Sequence, residues 1–271
     1  MSHNRNVQNL ISFLSEKARE DGVPFKVVLR EALQIYALDA ISQTEQGDTL
    51  TFQGGTAIRL LYQGWRYSDD LDFLSLEPLS TLEWINQPLN ETLSRLSPLF
   101  GAKLSLRKQK SSDTLLRFRL SLRAPDEADS TSISLEMGRF PAYHRILKPI
   151  LATMPLPGLV GPLLWAVSEE ELLAEKLAAV AGRPYRKGRD FFDLWFLRNR
   201  GVRVDLPLVQ AKLDDYGICR ELLPERLAMI TGADLQRELS LYLPRRYREP
   251  LATNGYCDIL DAIRALREEV Q

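Results

Sequence analysis

Hydrophobic positions near the N-terminus recur at intervals of three and four residues. Val7, Leu10, Ile11 and Leu14 form one stripe. Val28, Leu29, Leu33, Ile35 and Tyr36 form another, after a break at Gly22-Val23-Pro24. This spacing predicts helices across 7–44. The pattern changes at Leu50. Leu50-Thr51-Phe52 predicts a short strand ending in Gln53-Gly54-Gly55, Thr56–Tyr62 a short helix, and Leu71–Leu74 a second strand. Residues 80–97 read as a helix closed by Pro98. Strict alternation follows, with Leu104 and Leu106, then Leu116, Phe118, Leu120 and Leu122, then Ile133, Leu135 and Met137 separated by polar residues. Period two predicts three strands of a sheet with one apolar and one polar face, the apolar face packed on helices.

Pro149, Pro155, Pro157 and Pro162, with Gly158 and Gly161, predict an irregular linker over 149–162. Beyond it nearly every segment reads as helical. Ser168 and Glu171 have capping-box spacing, and Asp190 is placed to cap the next helix, which holds Phe191, Leu194 and Trp195. Further helices are expected at 206–215, 220–230, 234–242 and 256–269. The plan is helices, a small mixed α/β module, then a helical domain, with domains at 1–155 and 156–271.

Composition narrows the class. The chain has 271 residues, 45% hydrophobic and 26% charged, which excludes a disordered or collagen-like protein. Lys plus Arg is 35 and Asp plus Glu is 36, a net charge of −1, which excludes a wholly basic nucleic-acid binder but not a local basic patch. No apolar run reaches the ~18 residues of a membrane span. MSHNRNVQNL lacks the layout of a signal peptide. Cys219 and Cys257 are too few for a disulfide framework, and His3 and His144 lie near neither, which argues against Cys–His zinc. The expectation is a cytoplasmic protein whose chemistry rests on carboxylates, lysine, arginine and backbone.

The most informative stretch is Gly54-Gly55-Thr56 followed by Asp70-Leu71-Asp72-Phe73. A Gly-Gly turn between strand and helix lets backbone approach a ligand, and a helix N-terminus offers N–H groups to phosphate. Asp70 and Asp72, two apart on a strand, project together. Paired carboxylates suit a divalent cation, commonly Mg²⁺ bridging to substrate phosphates. The plainer reading is a tight turn and a solvated strand end. Lys176 lies among Leu172, Leu173, Ala179 and Val180, so it must either snorkel to solvent or meet an anion. Asp190 and Asp193 in Arg189-Asp190-Phe191-Phe192-Asp193 suit the first turn of a helix. Basic clusters occur at Arg183–Arg189, at Arg245-Arg246-Tyr247-Arg248 and on the strand face Arg117/Arg119/Arg123. The first, mixing Arg183, Arg186, Lys187 and Arg189 with Tyr185, suits single-stranded or tRNA-end binding; a solvated face is the alternative.

Four segments, GGTAIRLLYQGWRYSDDLDF (54–73), SISLEMGRF (132–140), EEELLAEKLAAVAGR (169–183) and RDFFDLWFL (189–197), carry a resemblance. Their order and spacing resemble the nucleotidyltransferase superfamily of polymerase-beta-like fold. Within it they resemble the AbiEii-type branch, the toxin component of type IV toxin–antitoxin and phage-defence systems. The resemblance implies an α/β (α+β) fold: a small mixed or antiparallel sheet with flanking helices, plus a C-terminal helical domain. It implies a Mg²⁺-dependent enzyme that moves a nucleoside monophosphate from a nucleoside triphosphate (NTP) to an acceptor hydroxyl. The implied acceptor is RNA, such as a tRNA 3′ end, and the implied partner is a cognate antitoxin. Gly54, Gly55 and Thr56 would hold phosphates, and Asp70, Asp72 and Glu136 the metal, although the family often has Asp at the third position. Lys176 would grip nucleotide phosphates, Arg66 and Ser68 match an Arg-x-Ser before the Asp-x-Asp strand, and Asp193 would be the acidic residue needed for activity, with Asp190 structural. Rival readings are a transferase acting on a protein or small molecule, a metal-dependent nuclease, and a catalytically idle nucleotide- or RNA-binding protein.

Overall fold

The two N-terminal stripes fold as α1 (Ser2–Asp21) and α2 (Phe25–Ser42). Gly22, at φ +62, ends α1 in a Schellman turn, with its N–H donating to the Arg19 carbonyl and that of Val23 to Ala18. This computed structural model describes residues 2–126, 130–151, 153–159 and 161–271; Ala152 and Val160 of the predicted linker lie outside the described residues. Among the described residues no helix is long and apolar enough to cross a membrane.

After α2 the order is β1 (Thr51–Gln53), α3 (Gly54–Leu61), β2 (Leu71–Leu74), α4 (Asn86–Phe100), β3 (Lys103–Ser111), β4 (Leu115–Arg123), β5 (Thr131–Gly138), β6 (Arg145–Pro149) and β7 (Leu163–Val167). Helices α5 (Glu169–Gly182), α6 (Gly188–Asn199), α7 (Leu206–Asp215), α8 (Leu222–Ala228), α9 (Gly232–Leu239), α10 (Arg245–Thr253) and α11 (Cys257–Val270) complete it. The strands form one mixed seven-stranded sheet in the order β3-β4-β5-β2-β1-β7-β6. The chain divides into two units. One comprises Met1–Gln63, Tyr67–Ala142 and Ile146–Ala166; the other comprises Gly64–Arg66, Tyr143–Arg145 and Val167–Gln271.

In the first unit the alternating leucines, phenylalanine and methionine of β4 and β5 are buried, as are Leu71 and Phe73 of β2. β5 packs on α2, whose residues from Val27 to Ile41 are nearly all buried. Charged side chains share that interior. Glu31 of α2 takes the Arg59 guanidinium at 2.7 Å, and Arg59 lies 4.3 Å over the Tyr67 ring. The Tyr67 hydroxyl donates to Asp21 at 2.6 Å. Burial, with Glu31 beside it, raises the Tyr67 hydroxyl far above its ordinary titration range.

Several local expectations need correction. Pro98 does not close the fourth helix but sits within it, and a 3₁₀ segment, Leu79–Ile85, precedes it. The stop is Gly101 at φ +58, with Ala102 N–H on the Ser97 carbonyl. The irregular stretch is interrupted at its start, because Pro149 belongs to β6, an edge strand where a missing N–H costs no ladder bond. The strand β7, LLWAV, pairs with β1 in parallel and is apolar on both faces, so it shows no alternation to read. The helix α10 offers little more than the pair Tyr247 and Leu251 as an apolar stripe, and Pro250 lies inside it. The cap of α6 is Lys187, not Asp190.

Candidate active site

The adjacent strands β1, β2 and β5 set two carboxylates, Asp72 and Glu136, in register. Gln53 of β1 opposes Asp72 of β2, and Asp72 opposes Glu136 of β5. Glu136 in turn opposes Arg117 of β4, and Arg117 opposes Lys110 of β3. Directly opposed residues share a face, so one row runs Lys110, Arg117, Glu136, Asp72, Gln53 across the polar side of the sheet. Asp70 lies two residues before Asp72 at the entry to β2. Asp70, Asp72 and Glu136 are all half-buried.

The strand β1 passes straight into α3. Gly54 takes φ +81, and a β-carbon there would overlap the Asp72 carboxylate. Gln53, the N-cap position of α3, makes no side-chain capping bond, so its first-turn N–H groups are not closed by their own cap. Thr56 donates its hydroxyl to the Asp70 carbonyl at 2.5 Å, tying α3 to the start of β2. The Ser68 carbonyl accepts from Gln34 at 3.1 Å, and Asp69 pairs with Arg30 of α2. The loop that delivers the aspartates is thus moored to α2.

Oxygen donors of this kind suit a hard divalent cation, and the missing Cβ at Gly54 makes room for one of them. The side chains do not gather, however: among the described residues no group of three His, Cys, Asp or Glu could hold a metal ion. Glu136 is instead ion-paired with Arg117 at 2.8 Å. Arg117 was legible only as one of a basic strand face; its partner required the register.

The second unit gathers Arg66, Lys176, Asp190 and Asp193. The Arg66 guanidinium grips Asp193 with both arms, Nε at 2.6 Å and Nη2 at 2.5 Å. The Lys176 ammonium lies 2.7 Å from Asp193 and 3.0 Å from Asp190. Arg183 pairs with the other oxygen of Asp190 at 2.8 Å. Lys176 therefore meets anions rather than snorkelling, and Arg66 pairs with a carboxylate. Burial alone would raise the Asp190 carboxyl, but Lys176, Arg183 and Lys187 outweigh it and hold it at about 2. Asp193 is likewise held low by Arg66 and Lys176 against the opposing effect of burial. Burial would lower Lys176, but the two aspartates raise it above the ordinary lysine value.

A second buried ion cluster was not foreseen. Lys212 lies 2.7 Å from both Glu171 and Glu175, and Lys212 and Glu171 are wholly inaccessible to solvent. Glu171 also accepts the backbone N–H groups of Tyr143 (3.0 Å) and His144 (2.5 Å). The capping box at Ser168 is thus half made: Ser168 accepts from the Glu171 N–H, while the Glu171 carboxylate serves Lys212 and the 143–144 backbone. A lysine at 212, on an otherwise amphipathic stripe, was the available signal. The basic run at 183–189 is largely internally matched: Arg183 on Asp190, Arg186 on Asp234 at 2.9 Å, Arg189 near Glu238 at 3.4 Å and over the Tyr242 ring at 4.3 Å.

The same architecture occurs in nucleotidyltransferases. MenT4, a nucleotidyltransferase toxin from Mycobacterium tuberculosis H37Rv, matches 92% of this chain over 89% of its own, with a TM-score of 0.59 and 23% identity. A protein from H. pylori assigned as a nucleotidyltransferase matches 92% of this chain over 97% of its own, with a TM-score of 0.55 and 16% identity. No curated protein matches the chain. Residues 36–269 match the family model described as nucleotidyl transferase AbiEii toxin, type IV TA system. The chain belongs to this family and is a nucleotidyltransferase toxin of the type IV toxin–antitoxin class. An NTP substrate and an antitoxin partner follow from that membership.

Proposed function

We propose that the protein transfers a nucleoside monophosphate from an NTP to a hydroxyl of RNA, such as a tRNA 3′ end, in the cytoplasm with Mg²⁺ as cofactor. The observation that carries this reading is the row Gln53, Asp72, Glu136, with Asp72 seated in the space left by Gly54. Asp70, Asp72 and Glu136 would hold the ion, Glu136 exchanging Arg117 for it. When bound, the ion neutralises charge on the α-phosphate.

The residues of the chain do the rest. The N–H groups of Gly54, Gly55 and Thr56 at the open N-terminus of α3 receive phosphate oxygens. The acceptor hydroxyl forms a bond to the α-phosphorus as the bond to pyrophosphate breaks. Its proton passes to a carboxylate of Asp72 or Glu136. Ser68 would keep its family-derived part at the triphosphate.

The test incubates the full chain with each labelled NTP and purified tRNA, with Mg²⁺ or with a chelator. Label in tRNA that needs the metal supports the reading. Label in a protein or small solute instead replaces the acceptor, and shortened tRNA without NTP would establish a nuclease.

A further inference from the structure

The hairpin of β3 and β4 sets like charges directly opposite one another. Lys103 faces Arg123, Arg107 faces Arg119, and Lys110 faces Arg117. All six lie on the polar face of the sheet, the face that carries Glu136 and Asp72. Like charges directly opposite destabilise a strand pair. Only Arg117 meets an acid; among the described residues Lys103, Arg107, Lys110, Arg119 and Arg123 have no carboxylate within ion-pair distance. Those five are exposed. In a chain of net charge −1 such a surface is not an overflow of composition.

We infer that this ladder is the docking surface for the phosphate backbone of the RNA acceptor. The inference rests on the RNA reading above and gives it a place. Three features favour a polyphosphate. The charges sit on a sheet lattice, about 4.8 Å apart across strands; along β4 Arg117 and Arg119 are about 7 Å apart, and Arg123 stands about 14 Å beyond Arg119 with Ser121 between them. Three of the five free cations are arginines, whose forked donors match phosphate. The Lys110–Arg117 row continues into Glu136 and Asp72, so RNA lying across the ladder is led along that row to the carboxylates. An acidic protein surface is the rival occupant.

The experiment uses the full chain with Arg107→Ser, Arg119→Ser and Arg123→Ser combined, leaving Arg117 in place. Binding of purified tRNA is measured without NTP from low to moderate salt, beside binding of poly-glutamate and of a fluorescent NTP. The expected result is tRNA affinity weakened more than about tenfold and a log–log salt slope shallower by about 2, at roughly 0.7 for each single-strand phosphate that is no longer neutralised. NTP affinity should hold, and the melting temperature should hold or rise as like charges are removed. Should the triple variant fold poorly, Lys103→Ser with Arg123→Ser, the row farthest from Glu136, should show the same trend with a smaller change. Unchanged tRNA affinity and slope would overturn the inference, as would loss of poly-glutamate binding with tRNA binding intact. Tight wild-type tRNA binding through the ladder without labelling of tRNA would support the surface and defeat the acceptor assignment, so the two failures are distinct.

Discussion

The carboxylate of Asp72 occupies the place that a β-carbon at Gly54 would need. Gly54 also holds φ +81, which L residues with side chains adopt at a cost. Gly54→Ala therefore combines backbone strain with displacement of Asp72. The expected outcome is a loss of about 1–3 kcal/mol in stability and of most transfer activity. Thermal melts and labelled-NTP transfer check both; wild-type values in both would show that the close approach has no consequence.

Asp70→Asn and Asp72→Asn keep size and shape while removing charge. Each should lower transfer at least about a hundredfold, since a lost metal ligand costs several kcal/mol of transition-state stabilisation. Melting temperatures should stay near wild type, because both groups are only half-buried. A fall in stability with full activity would return the pair to a structural role.

Lys176→Met retains the apolar stem and strands two buried carboxylates with fewer cations. Removing one partner of a buried ion cluster costs about 3–5 kcal/mol. Arg66 and Arg183 remain on Asp193 and Asp190, so the lower end is expected in denaturant titrations. If the lysine also serves the triphosphate, KM for NTP rises at least tenfold, about 1.4 kcal/mol. An unchanged KM confines Lys176 to the ion cluster.

Acid should unlock the same cluster. The Asp190 carboxyl lies at about 2 in the folded state against 3.8 for the free side chain, with Asp193 lowered too. On acidification the unfolded chain takes up these protons first, so the stabilisation is complete above about 3.8 and fades as pH falls towards about 2. For Asp190 this amounts to roughly 2 kcal/mol. Equilibrium unfolding across that window should be less pH-dependent in Asp190→Asn; identical slopes would remove the cluster as the cause.

Where one periodic face meets solvent, the chain announces its structure. The alternation of Leu116, Phe118 and Leu120, or of Ile133, Leu135 and Met137, is legible because each strand is buried on one side only. The same logic sets Asp72 on the polar face with Glu136, whereas Asp70, expected on the strand beside it, stands one residue before β2 begins. β7 escaped because both its faces are apolar, and α10 because its basic run carries little more than Tyr247 and Leu251 as a stripe. Pairings between distant segments were beyond local reading. Whether Lys176 snorkels or meets an anion depends on Asp190 and Asp193, and whether Glu136 stands alone depends on a register that sets it against Arg117. Asp190 looked like a cap because its first-turn position is the same for a cap and for an ion partner.

Two short stretches, Gly64–Arg66 and Tyr143–Arg145, belong to the helical unit although the chain on either side of each belongs to the other. Arg66 leaves the ribosome 127 residues ahead of Asp193, and the amides of Tyr143 and His144 come 28 and 27 residues ahead of Glu171. A nascent chain therefore holds these groups open until α5 and α6 emerge, and only then can the charges close. A fragment begun at Val167 never receives them: it carries Asp193 without its guanidinium and Glu171 without its two amides. The helical half is thus finished by residues translated long before it.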